Sequence, residues 1–105
     1  MLTLPIKKKW FEMIRKGIKL EEYREIKPYY ESRFSKLWQG SLIGGEAIRE
    51  IKLKNGYSAN APFIIAECKL RIGKGKTEWG AEKDKEYYIL DIPGIRETVK
   101  GSRNE

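Results

Sequence analysis

The chain has 105 residues, enough for one domain with one hydrophobic core, and a formal net charge of +7. It contains no histidine, which excludes histidine-based catalytic triads and histidine-bearing zinc sites. Its single cysteine excludes a scaffold held together by intramolecular disulfides. The first residues lack the apolar segment of a signal peptide, and no apolar run is long enough to span a bilayer. We therefore expect a small, basic, cytoplasmic protein that makes no contact with membranes.

The excess positive charge lies almost entirely in the first half of the chain. Residues 1–54 hold 13 basic and 7 acidic side chains, a balance of +6, whereas residues 55–105 hold 9 and 8, a balance of +1. The densest cluster is Lys7, Lys8 and Lys9. Such asymmetry fits a basic face that attracts phosphates or another anionic ligand. It equally fits a solvated surface that keeps a small protein soluble.

The N-terminal residues predict a strand. Leu2, Leu4 and Ile6 alternate with other residues, and Pro5 restricts the strand to a sheet edge or a strand end.

A helix is predicted next, over Lys8–Lys16. Trp10, Met13 and Ile14 are spaced three and four residues apart, so they share one apolar face, and Gly17 stands where a C-cap glycine belongs. On this spacing we expect Trp10 to lie in the core rather than to form a stacking surface.

The sequence of the following segment, residues 18–27, is compatible with either a helix or a strand. Its composition favours a helix by propensity, but a stop at Gly17 followed by a strand is equally compatible. Pro28 then occupies the favoured first-turn position of a second helix, which ends near Gly40. The apolar stripe of this helix comprises Tyr30, Phe34, Leu37 and Trp38, and we expect Trp38 to lie in the core.

The second half of the chain predicts strands. Ile51 and Leu53 alternate with charged residues and lead into the Asn55-Gly56 turn. The clearest strand places on one face Ile64, Ala66, Cys68, Leu70 and Ile72. A last strand spans residues 86–92 and ends before Pro93-Gly94, and the final ten residues are polar. The order of elements predicts an α+β fold whose strands curl into a small barrel.

Two single residues have alternative interpretations. Cys68 lies on the apolar face of its strand, and we expect a buried, inert thiol, because a reactive thiolate needs an accessible, electropositive setting. Trp79 lies in a loop rich in glycine and lysine (residues 73–80), where its ring either fills part of the core or lines a pocket.

One segment carries a more specific pattern. Residues 17–24 read G-x-K-x-x-E-x-R, which resembles the signature of the ASCH domain, a family in the PUA-like superfamily of small RNA-associated β-barrels. Residues 4–11, 23–29, 55–57 and 78–80 resemble further strings found in a phage and bacterial branch of this family. The resemblance covers residues 2–92, nearly the whole domain.

The resemblance implies a fold. It implies a PUA-like β-barrel with two or three short helices packed against it. We accordingly expect one domain over residues 1–95, followed by the polar tail, residues 96–105. The resemblance also implies that Lys19 lies in a turn after Gly17 and that residues 22–26 form a strand. Glu22 and Arg24 then project to the same face, where Lys19 joins them at one mouth of the barrel. Such a cluster offers donors for phosphate or carbonyl oxygens, although a surface ion-pair ladder would look the same in the sequence.

The first functional interpretation is a module that binds RNA or a nucleotide-like ligand. In this interpretation Lys19, Glu22 and Arg24 hold the ligand, while Tyr57 and Trp79 stack on a base. The further candidate ligand contacts are Lys7, Lys8, Lys9, Lys27, Arg33, Lys54 and Asn55.

The alternative is a small hydrolase that needs no metal and no cofactor, so whether the chain is an enzyme stays open. Some ASCH proteins act as amidohydrolases on acylated cytidines, and others are assigned ribonuclease activity. In the amidohydrolases a threonine nucleophile stands where this chain has Glu22, which cannot perform the same acyl transfer. Glu22 or Tyr57 would instead handle protons, while Lys19 or Arg24 stabilises developing negative charge. The sequence carries no signal for or against a protein partner.

Overall fold

The structure is a computed structural model that describes residues 1–100. In chain order its elements are β1 (Thr3–Ile6), α1 (Lys8–Arg15), β2 (Glu21–Arg24), α2 (Pro28–Leu37), β3 (Arg49–Asn55), β4 (Phe63–Lys74), a short 3-10 helix (Thr77–Trp79) and β5 (Glu86–Val99). Two α-helices and five strands in one fold confirm the predicted α+β class. The ambiguous segment after Gly17 is a turn followed by a strand, and that strand ends at Arg24, two residues before the end that the family resemblance implies.

The five strands form one sheet in the order β1-β3-β4-β5-β2. β1 pairs with β3 in parallel, and the other three pairings are antiparallel. β1 and β2 are therefore the two edges, which confirms the edge position that Pro5 predicts. We call the gap between these two edges the seam.

The closed barrel that the sequence predicts is not confirmed. Within residues 1–100 no backbone pairing joins β1 to β2, so the sheet stays open at the seam. Two local features explain this. β2 has only four residues, and Pro5 in the middle of β1 has no N–H group to offer a partner strand.

The core fills the space between one sheet face and the two helices. Alternate residues of β3, β4 and β5 point into it, and α2 contributes Phe34 and Trp38, as its stripe predicts. α1 contributes Phe11 and Ile14, which are 2% and 1% exposed. The expectation that Trp10 lies in the core is wrong, because α1 turns Phe11 toward the sheet and leaves Trp10 half-buried at the rim.

β4 and β5 are the longest strands and pair along most of their length. β5 continues past the expected end at Ile92 and reaches Val99, which lies opposite Phe63. Pro93 and Gly94 do not end β5. The pairing of β4 with β5 shifts in register near them, so Pro93, which has no N–H group, lies within the strand at an irregular position. Residues 96–99 of the expected tail thus belong to the sheet, and residues 101–105 lie outside the described residues.

Cys68 lies in the middle of β4 and is fully buried in the core. Burial raises the pKa of its thiol from 9.0 to about 12, because the charged thiolate would lose its hydration. The expected burial of the thiol is confirmed. Among the described residues, no helix is long and apolar enough to cross a membrane.

Candidate functional site

The side chain of Arg24 on β2 bridges the seam. Its Nη2 donates to the carbonyl oxygen of Pro5 on β1 at 2.9 Å, and its Nη1 donates to the carbonyl oxygen of Tyr23 at 2.8 Å. Both carbonyls belong to the unpaired edges of the sheet. Arg24 therefore supplies hydrogen bonds that a neighbouring strand would otherwise provide.

Lys19 performs a similar role at the start of β2. Its Nζ donates to the carbonyl oxygen of Glu21 and to the Oε1 atom of Glu22, the latter at 2.5 Å. The side chain of Lys19 is fully buried, and this desolvation lowers its pKa below the ordinary value although Glu22 acts in the opposite direction. The turn at Gly17, with a φ of +76°, allows the chain to fold back and place Lys19 beside β2.

Glu22 connects the two cations. Its Oε1 accepts from Lys19, and its Oε2 accepts from the Nη1 atom of Arg24 at 2.9 Å. Glu22 and Arg24 pair with Leu90 and Tyr88 of β5, so both side chains project to the core face of the sheet. The three motif side chains thus meet, as the family resemblance implies, and one of their contacts, from Arg24 to Pro5, crosses the seam.

A cavity of about 740 Å³ opens beside the seam. Eight of the twelve candidate residues line it: Lys7, Lys8, Glu22, Arg24, Lys27, Asn55, Tyr57 and Trp79. Lys19 lies behind Glu22, and its 1% exposure leaves it almost no surface toward the cavity. The structure therefore separates the motif into two residues that face the cavity, Glu22 and Arg24, and one that supports them.

The other three candidates lie outside the cavity lining. Lys9 places its Nζ 4.7 Å from the centre of the Trp10 ring. Arg33 on α2 stacks on the exposed Tyr29, with 3.5 Å between its guanidinium carbon and the ring centre. Lys54 is half-buried near the end of β3. None of these positions brings the side chain to the Glu22 carboxylate.

Several aromatic side chains form the walls of the cavity. Trp79, for which the sequence left two interpretations open, lines the cavity and also packs against a small cluster on the opposite face of the sheet. Tyr57 is 88% exposed at the rim. Sequence reasoning missed Trp10 and Tyr30, which also line the cavity. The neighbouring Phe11 was a usable signal for Trp10, because adjacent helix residues point about 100° apart and Phe11 shares with Ile14 the face that packs on the sheet.

Two tyrosine hydroxyls fix the loop that carries Trp79. The Tyr23 hydroxyl accepts from the backbone N–H of Lys76 at 2.9 Å, and the Tyr87 hydroxyl accepts from that of Glu82 at 3.0 Å. Gly75 lies directly on the Tyr23 ring, where a Cβ atom would come within 2.6 Å of it. We call Tyr23 and Tyr87 the tyrosine clamp, because they hold the two ends of this loop.

The same loop also touches α1. Gly80 has a φ of +100°, and a Cβ atom at this position would lie 3.0 Å from the indole of Trp10. Only glycine combines this backbone conformation with such a close approach. The clamp and this contact together place Trp79 and Trp10 at one side of the cavity.

The charges around the cavity are mostly positive. Among residues 1–100 its lining contains four cationic side chains, which are Lys7, Lys8, Arg24 and Lys27, and two anionic ones, which are Glu22 and Glu25. Glu25 is exposed and has Lys85 at 3.5 Å, so the buried Glu22 is the anionic group of the interior. Aromatic walls, a basic rim and one buried carboxylate can together hold a flat polar ring that carries a negative group.

Comparison of the chain with models of known protein families, with curated proteins and with solved structures finds no match.

Proposed function

We propose that this chain binds a nucleotide unit, either free or within single-stranded RNA, in the cavity beside the seam. The observation that carries the proposal is the combination, in one cavity of about 740 Å³, of indole walls and a lysine rim. This volume lies in the usual range of small-molecule sites, roughly 300–1,000 Å³. A nucleotide combines an aromatic base, which can stack on the indole walls, with a phosphate, which can bind the lysines of the rim.

The base half of the proposal rests on the tryptophans. Trp10 and Trp79 are both half-buried and both line the cavity. A lysine ammonium lies over each ring, 4.7 Å from the centre of Trp10 and 4.6 Å from that of Trp79, so a base stacks either by displacing it or on the part of the ring that stays exposed. The tyrosine clamp holds the Trp79 loop before any ligand arrives, which reduces the ordering cost of binding. Stacking of one base on an aromatic side chain contributes about 1–3 kcal/mol.

The phosphate half rests on Lys7, Lys8 and Lys27. All three are exposed and line the cavity, and they belong to two segments that approach each other across it. Flexible ammonium groups suit a phosphate, which accepts hydrogen bonds from many directions. Their contribution weakens with added salt, since exposed charges are screened.

The proposed family is the ASCH domain, with the seam as the closing side of a PUA-like barrel. Support comes from the Lys19-Glu22-Arg24 contacts, which give the signature residues a physical role. The bond from Arg24 to Pro5 brings the two sheet edges together in the way that a barrel requires. In this proposal the signature maintains the mouth of the barrel, and the cavity beside it receives the ligand.

The contacts of Glu22 favour binding over hydrolysis. Both of its oxygens already accept from a cation, and Lys19 has its Nζ occupied by Glu21 and Glu22. Because its Nζ is held by these two oxygens and its side chain is buried behind Glu22, Lys19 does not reach a substrate on which it could stabilise developing negative charge. We expect single-stranded RNA and acylcytidine to remain unchanged after long incubation with the protein.

The proposal is tested by titrating a fluorescently labelled single-stranded RNA with the protein at several salt concentrations. We expect binding that weakens with salt and that falls at least about tenfold in the double variant Lys8→Gln/Lys27→Gln. The matched control is Lys36→Gln/Lys83→Gln, which has the same net charge but changes two exposed lysines outside the cavity lining. Equal weakening by both double variants, or no binding of RNA or of free nucleotides, would contradict the proposal.

A further inference from the structure

The carboxylate of Glu22 has acceptor capacity that the protein does not use. An ionised carboxylate offers about four acceptor positions, two on each oxygen. Within the described residues, Oε1 accepts one hydrogen bond, from Lys19, and Oε2 accepts one, from Arg24. One acceptor position therefore remains on each of two neighbouring oxygens.

These remaining positions are accessible from the cavity. Glu22 is only 5% exposed, yet it is part of the cavity lining. Lys19 approaches it from the buried side, and Arg24 approaches it along the seam. A ligand that enters the cavity thus meets a fixed pair of acceptors, held in position by two ion pairs.

The charge of the cavity restricts which donors fit this pair. Arginine side chains present two parallel N–H groups to a carboxylate, but they carry a positive charge. The four cationic side chains of the lining oppose a cationic ligand. The ligand group that fits the two acceptors of Glu22 is therefore an uncharged pair of adjacent N–H donors. The negative charge that suits the cavity lies on another part of the ligand.

Among the nucleobases, guanine alone has this arrangement, because its N1–H and its N2 amino group stand side by side. Adenine and cytosine each offer one amino group beside an acceptor nitrogen, and uracil offers one N–H between two carbonyls. Resting on the nucleotide function proposed above, we infer that the cavity selects guanine and that Glu22 reads its N1 and N2 donors. Trp10 and Trp79 supply the stacking surface, which all bases share.

Arg24 completes this recognition. A guanidinium has five N–H donors, and Arg24 uses three of them for Glu22, Tyr23 and Pro5. It lines the cavity next to Glu22, so a remaining donor suits the O6 acceptor that lies beside N1 in guanine. The site then presents two acceptors from Glu22 and one donor from Arg24, which complement the N2 amino group, N1–H and O6 of guanine in that order.

The test compares guanosine, inosine, adenosine, cytidine and uridine 5′-monophosphates by calorimetric titration of the wild-type protein. Good bidentate contacts discriminate by roughly tenfold to hundredfold, so we expect guanosine monophosphate to bind at least about tenfold more tightly than the adenosine compound. Inosine monophosphate lacks only the N2 amino group and should fall between them. Equal affinities for all five would overturn the guanine inference alone, whereas no binding of any nucleotide or RNA would overturn the proposed function.

A variant pair links the preference to the carboxylate. Glu22→Gln replaces one acceptor oxygen by a donor, so we expect the guanosine-to-adenosine affinity ratio to fall to within about threefold of one. The control Glu50→Gln changes a carboxylate on β3 that pairs with Arg96 outside the cavity lining, and it should keep the wild-type ratio. A wild-type ratio in folded Glu22→Gln would overturn the inference. If Glu22→Gln does not fold, the guanosine and inosine comparison on the wild type decides.

Discussion

The Nη2 atom of Arg24 donates to the carbonyl oxygen of Pro5 at 2.9 Å, so one side chain joins the two edges of the sheet. Pro5 cannot donate a backbone hydrogen bond, and its carbonyl would otherwise lack a strand partner. The same guanidinium binds Glu22, which in turn holds Lys19. The cluster that resembles a family signature is therefore, first of all, the part that holds the open side of this fold.

We expect Arg24→Lys to destabilise the protein by about 2 kcal/mol, because the single nitrogen of lysine replaces the two nitrogens that bind Glu22, Tyr23 and Pro5. The free energy of unfolding in denaturant measures this loss. Arg33→Lys on the exposed face of α2 is the control and should change it by less than about 0.5 kcal/mol. Equal stability of the two variants would show that the seam does not depend on the guanidinium fork.

We expect Tyr23→Phe to loosen the Trp79 loop. The hydroxyl donates to Glu21 and accepts from the backbone of Lys76, so its removal leaves that N–H without this partner. The loss of unfolding free energy should be about 1–2 kcal/mol. Nucleotide affinity should fall as well, because Trp79 is then less well ordered. Tyr29→Phe, at an exposed position, should leave both quantities unchanged, and unchanged affinity in Tyr23→Phe would argue against the clamp.

We expect the stability that Cys68 contributes to the fold to be lost at alkaline pH. Its pKa is raised from 9.0 to about 12 in the folded state, so above pH 9 the unfolded chain loses a proton that the folded chain keeps. The stability that this group provides is complete below pH 9 and is lost as the pH rises toward 12, at up to about 1.4 kcal/mol per pH unit.

The measurement compares unfolding free energies of the wild type and Cys68→Ala between pH 8 and 10.5. The variant is less stable at pH 8, because it loses buried volume, and the difference should shrink by about 2 kcal/mol at pH 10.5. Burial also raises the pKa of Tyr23 and Tyr88, but these groups are present in both proteins. Parallel curves for the two proteins would contradict the burial argument.

Local patterns predicted most of the elements. Pro28 marks the first residue of α2, Gly17 follows the end of α1, and the alternation around Cys68 identifies β4. These signals depend on backbone conformation and on burial along one element. They are therefore present in the sequence itself.

The failures of prediction have a different cause. The expectation that Trp10 lies in the core rests on its spacing with Ile14, but Ile14 packs on the sheet together with Phe11, and Trp10 stays at the rim. The seam could not be predicted either, since the contact between Arg24 and Pro5 joins residues 19 positions apart and depends on the whole sheet. Composition likewise could not predict that Lys19 is buried behind Glu22. All three outcomes are decided by tertiary packing rather than by local pattern.

The three tryptophans allow the central claim to be measured within one molecule. Trp10 and Trp79 line the cavity, whereas Trp38 is 3% exposed and donates its indole N–H to the carbonyl of Ala47. In an NMR titration with guanosine monophosphate, we expect the indole N–H signals of Trp10 and Trp79 to shift and saturate together. The signal of Trp38 should stay in place. Shifts confined to Trp38, or no shift of the two cavity indoles at saturating nucleotide, would contradict the account.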